Sequence, residues 1–153
     1  MGDKLMKLSR WVSLVAAAVV LPIQAQEAVG LVKTVAGEAT VSDGGKAVKA
    51  LPGTPIRNGS VLKTSAKATM GVTFKDNTVM SFGPDTELVV DEFLYAPAKG
   101  NLKFGSRMTR GSLEVVSGVI AKLKPEAVDL KTPTGTIGIR GTHFLVKVEA
   151  IGE

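Results

Sequence analysis

The 153-residue chain has no cysteine and only one histidine, one tryptophan and one tyrosine. Without cysteine there is no disulfide scaffold, no Cys-ligated zinc or iron–sulfur centre, no thiol nucleophile and no lipidated N-terminal Cys. His143 alone excludes any multi-histidine metal site. The chain has no Gly-x-Ser-x-Gly elbow for a serine hydrolase and no Asp-x-Asp-x-Asp-Gly calcium loop. The Gly-rich run Thr134–Thr142 lacks the Gly-Lys-Thr ending of a phosphate loop, and no helix is expected after it. Asp91 and Glu92 are adjacent carboxylates, which on a regular strand face opposite ways and share no substrate. His143 is expected to be exposed or locally hydrogen-bonded rather than a general base, since no nucleophile motif accompanies it. No catalytic residue, metal site or cofactor is expected.

Charge of one sign is also scarce. Lys and Arg number 19 against 14 Asp and Glu, a net charge of +5. Three of the basic residues (Lys4, Lys7, Arg10) and one acidic residue (Asp3) lie in the first 25, so the remainder carries only +3. Its cations are scattered singly, whereas a nucleic-acid interface needs them clustered on one face. Nucleic acid is therefore not an expected partner.

The first 25 residues have the layout of a secretory signal peptide: a basic start, the apolar run Trp11–Leu21, Pro22, and Ile23-Gln24-Ala25 before a cut after Ala25. Trp11 to Ile23 falls short of the ~18–20 residues that span a bilayer, so contact with the membrane is expected only in transit. Residues 26–153 are then the exported domain.

After Ala25, short apolar runs are cut every few residues by Gly, Pro, Asn or Asp, which predicts a single all-β domain of short strands and tight turns. The clearest strand is Ala66–Phe74, where Ala66, Ala68, Met70, Val72 and Phe74 share one face. Asp76-Asn77 supplies a hairpin turn and the chain returns through Thr78–Phe82. Further strands are predicted at 29–35, 37–42, 87–91, 113–116, 127–131 and 144–148, with Ala96–Asn101 as a long exposed loop. In the last strand Phe144, Val146 and Val148 point inward, while Leu145 breaks the alternation. Residues 62–72 align loosely with 130–139, and the Gly30/Gly37 spacing recurs at Gly111/Gly118. Two arrangements fit, a two-sheet sandwich or a solenoid-like β-coil, preceded by a signal-peptide helix.

Gly135, Gly138 and Gly141 recur every three residues, out of step with strand alternation, as at bulges or corners where backbone turns or is closely approached. Arg140 stands between two of them. Its expected role is an intramolecular clamp to Asp85, Asp91 or Asp129, with a ligand-binding arginine as the alternative.

Thr132-Pro133-Thr134-Gly135-Thr136-Ile137-Gly138-Ile139-Arg140-Gly141-Thr142-His143-Phe144 resembles the closing signature of the FecR domain family. Its signature positions here are Thr132, Pro133, Gly135, Gly138, Arg140, Gly141, Thr142 and Phe144. Other segments fit that family in order: Gly37–Val41, Asn58-Gly59 with Leu62-Lys63-Thr64, Phe74–Thr78 and Gly83–Thr86, so that the resemblance runs from about Val29 to Val148. Asn77 stands where the family usually has glycine. The best-known members regulate sigma factors through a cytoplasmic segment and a transmembrane helix. Here ten residues precede the apolar run, so the resemblance implies a stand-alone periplasmic or secreted domain of the Gram-negative envelope. It implies a non-enzymatic interaction or sensory module with an envelope protein as partner. The alternative is a module for peptidoglycan or polysaccharide.

Overall fold

The computed structural model describes residues 26–150; the expected signal peptide, 1–25, lies outside the described residues. Twelve strands and one short helix follow in order: β1 (Gly30–Ala36), β2 (Ala39–Asp43), β3 (Lys46–Lys49), β4 (Pro55–Ile56), β5 (Val61–Thr64), β6 (Thr69–Phe74), β7 (Val79–Phe82), β8 (Glu87–Ala96), β9 (Asn101–Val116), α1 (Val119–Leu123), β10 (Val128–Thr132), β11 (Gly135–Gly138) and β12 (His143–Val148). Nine of them hydrogen-bond in the order β3-β2-β5-β8-β9-β7-β6-β1-β4 and β10, β11 and β12 join off that path, making a curled, mainly antiparallel sheet. β9 joins its two halves. Along Asn101–Arg110 it pairs with β8, and over Phe104–Arg107 with β10 in parallel on its other edge. Beyond Gly111 it pairs with β7 and β12 instead. A parallel neighbour needs a crossover, and the α1 segment supplies it.

The fold is all-β as expected, but it is neither a two-sheet sandwich nor a solenoid-like coil: the strands form one curled sheet, continuous through β9. Successive strands do not stack as coils: β5 and β6, one half of the internal resemblance, lie in different halves, whereas β10 and β11, the other half, form a hairpin. Ala96–Asn101 is not a long loop but the tip of the β8–β9 hairpin, where Pro97–Lys99 makes one 3₁₀ turn. Nor do Asp91 and Glu92 alternate regularly. The β8–β9 register slips between Val90 and Glu92, a β-bulge at which both carboxylates are exposed.

Of the alternation read at Ala66–Phe74, Ala68, Met70, Val72 and Phe74 are buried, but the strand begins only at Thr69, and Ala66 is exposed in the turn before it. Met70, Val72 and Phe74 join one core that reaches from Val29 to Val146. At its centre the Phe74, Phe93 and Phe104 rings pack with centroids 4.7–5.6 Å apart. Each fully buried large side chain contributes about 1.5–3 kcal/mol.

The turns between strands are held by buried polar side chains. Asn77 takes the expected positive φ, 68°. Asp76 beside it is fully buried: its carboxylate accepts the Thr78 N–H (3.0 Å), the Thr78 hydroxyl (2.8 Å) and the Ile120 N–H (3.2 Å). Its carbonyl accepts the Val119 N–H at 2.7 Å, and the Thr78 hydroxyl oxygen accepts that of Gly118 at 3.1 Å. One hairpin turn thus fixes the corner where β9 becomes α1. Across the sheet, the Thr64 hydroxyl donates to the Gly83 carbonyl (2.7 Å) and accepts the Thr86 N–H (3.0 Å). Thr86, also fully buried, accepts the Ser112 N–H at 3.0 Å. Gly111 lies against it with φ 100°, and a Cβ there would meet Thr86 atoms at 2.2–2.6 Å.

Candidate functional site

The glycine-rich signature forms the strand, corner and strand expected of it. β10 ends in a turn through Pro133, closed by the Thr132 hydroxyl on the Gly135 carbonyl (2.9 Å). Among the described residues β11 pairs with β10 alone, and all four of its residues are exposed. Ile139–Thr142 then carries the chain across to the other half of the sheet, where β12 pairs with β9 alone among the described residues. Consecutive strands β11 and β12 therefore do not pair with each other.

The crossing segment is pinned at both ends. Ile139 is buried in the core. Ser117 donates its hydroxyl to the Gly141 carbonyl and its N–H to the Thr142 carbonyl, both at 2.8 Å. Arg140 lies between the pins and is exposed. Because Ser117 precedes Gly118, the Asp76–Thr78 network also supports this display. Asp76 and the signature, far apart in sequence, meet at that corner.

The expected Arg140 clamp does not exist. Asp85 pairs with Arg110 at 3.4 Å, Asp91 with Arg107 at 3.1 Å and Asp129 with Lys103 at 3.2 Å. All three cations sit on β9. Each expected partner is thus taken, and Arg140 has no ion pair among the described residues. The expected close approach at the glycines is absent too: nothing lies within 4 Å of a Cβ placed at Gly135 or Gly138, and at Gly141 only His143 backbone comes near, at 3.8 Å. Their small size leaves open space.

That space is a groove of about 420 Å³ between β11 and β12, lined by Ile137, Gly138, Arg140, Phe144, Leu145 and Lys147 among others. Among the described residues its lining holds two cations and no carboxylate. Arg140 also borders a neighbouring hollow of about 280 Å³, which Pro125, Glu126, Val128 and Asp129 line. Phe144 is half-buried against the core, whereas Leu145 is 73% exposed. The break in alternation at Leu145 was the sequence signal for this surface; Ser117, Ile137 and Lys147 gave none. His143 is exposed and hydrogen-bonds Glu114, as expected. Thr142 is exposed just before β12.

A second concavity, about 390 Å³, lies on the outer face of the β7–β9–β12 half. Hydroxyls of Thr34, Thr69, Ser81 and Ser112 line it with Glu114, and Leu145 is shared by both concavities. Among the described residues no three His, Cys, Asp or Glu side chains form a metal-binding group, and no helix is long and apolar enough to cross a membrane.

No curated protein and no solved structure matches the chain. A family model described as FecR protein matches residues 60–152, starting at Ser60 rather than at the Val29 of the motif reading and covering the groove entire. The chain therefore belongs to the FecR family.

Proposed function

We propose that this protein is a non-enzymatic, exported interaction module that recognises an envelope protein at the β11–β12 groove. The observation that carries the reading is the pair of unpaired strand edges opening on one groove, with Arg140 displayed between them. An unpaired edge offers a row of N–H and C=O groups that a partner's backbone satisfies, which is how many β-domains recognise extended segments. Family membership supports a regulatory or sensory role at the envelope rather than catalysis. It also supports an extracytoplasmic location.

The test compares baits in a cross-linked envelope fraction. Wild type is expected to capture a partner that Leu145→Lys loses and that Val48→Lys, on the β3 edge, retains. A wild-type bait that recovers nothing, or equal capture by all three, ends the reading. The hydroxyl-lined trough favours a second reading, polysaccharide or peptidoglycan binding, although neither Trp nor Tyr lines it. Sedimentation with purified peptidoglycan decides this: a protein that stays in the supernatant removes it.

A further inference from the structure

We infer that the groove takes an acidic, extended segment of a partner protein, added as a strand to the free edge of β12 with one of its carboxylates held by Arg140. This rests on the interaction-module reading and names the chemistry of the partner.

The four outermost strands differ in how they are protected. β3 is short, fully exposed and bounded by Lys46 and Lys49; β4 has two residues, one of them Pro55. Lysine, proline and brevity are the usual guards of a sheet edge. β11 has no charge, but it is four residues long with a glycine at each end and hangs from β10 alone. β12 is different. Its six residues span about 20 Å, are anchored to β9 along their whole length, and include Phe144, Leu145, Val146 and Val148 against a single lysine. Of these four it is the long, apolar and unguarded edge.

Charge selects the occupant. Arg140 and Lys147 face the groove without a lining carboxylate, and the nearest acidic side chain to Lys147 is Glu149 at 3.7 Å, where both are highly exposed. Asp85, Asp91 and Asp129 each pair with a cation on β9, and Glu126 lines with Asp129 the adjoining hollow rather than the groove. Ile139 and Ser117 hold the backbone on either side of Arg140, so little order is lost when its guanidinium meets a carboxylate in fork geometry. A second copy of this chain would bring the same two cations to the contact and no lining carboxylate to meet them.

The probes are two synthetic nine-residue peptides, one alternating valine with glutamate and the other valine with lysine, titrated into the purified protein and followed by amide NMR. The glutamate peptide is expected to shift the amides of 143–148 and slow their hydrogen exchange, to bind more weakly as salt rises, and to lose about tenfold in affinity with Arg140→Gln. The lysine peptide is expected not to bind. Equal binding of both peptides, shifts confined to other strands, or no binding of either overturns the inference. So does a concentration-dependent dimer that protects the same amides. If the peptides fail while Leu145→Lys still abolishes envelope capture, the acidic strand is wrong and the interaction reading stands; if capture fails as well, both fall.

Discussion

Thr64, Asp76, Thr78 and Thr86 are buried and hydrogen-bonded to backbone from distant strands, whereas Gly135–Gly138 and Arg140–His143 are exposed around an open groove. Both sets carry the FecR pattern, yet they do different physical work. The first set satisfies backbone groups that would otherwise be buried without partners, so it belongs to the stability of the fold. In the second set only the Gly141 and Thr142 carbonyls serve a buried residue, Ser117, and Arg140 has no ion pair among the described residues. A family signature is therefore not one kind of evidence. Its buried part reports how the chain folds, and its exposed part reports a surface.

The sharpest way to break this comparison is to make one substitution in both regions. At Gly118 a Cβ would stand 2.2 Å from the Asp76 carbonyl oxygen. Gly118→Ala is expected to cost about 3 kcal/mol in urea unfolding followed by circular dichroism. Gly138→Ala, with open space around it, is expected to stay within about 0.5 kcal/mol of wild type. Equal losses would erase the distinction. Asp76→Ala strands the Thr78 and Ile120 donors and is expected to cost about 2 kcal/mol by the same measurement, with Asp76→Asn milder. Thr86→Val removes the acceptor of the Ser112 N–H and is expected to cost about 1 kcal/mol.

The smallest effect is acid dependence near the N-terminal edge. The hydrogen bond from Lys75, and then its charge, hold the Glu27 carboxyl below its ordinary value. A carboxylate with a lowered folded value adds stability above its unfolded value, about pH 4.3, and loses it as pH falls through the folded one. Lys75→Gln is expected to flatten that acid-side slope slightly in melts taken across pH 3–5.

Local patterns were legible in the sequence where each strand obeys its own period. β6 and β7 with Asn77 between them follow from alternation and turn chemistry alone. The first twelve residues of β9 were hidden because Gly105, Ser106, Gly111 and Ser112 interrupt its apolar pattern, and partners on both edges hold it instead. That omission explains the failed clamp: Lys103, Arg107 and Arg110 were not on an expected strand, so the cations that claim Asp129, Asp91 and Asp85 went unconsidered. Asp76 was read as a turn residue for its local conformation. Its burial under α1, whose start lies more than forty residues away, is a tertiary fact that spacing does not encode. The signature run itself was legible as strand and corner. That its glycines face empty space was not, since a close approach and an open groove both favour glycine.

The account stands most directly on Arg140→Gln, measured twice on the same preparation. Thermal unfolding is expected to leave the midpoint within a few degrees of wild type, while capture of the envelope partner falls about tenfold. A variant that unfolds or melts far below wild type would make Arg140 part of the fold. A variant that melts normally and captures the partner undiminished would take Arg140 out of the binding surface.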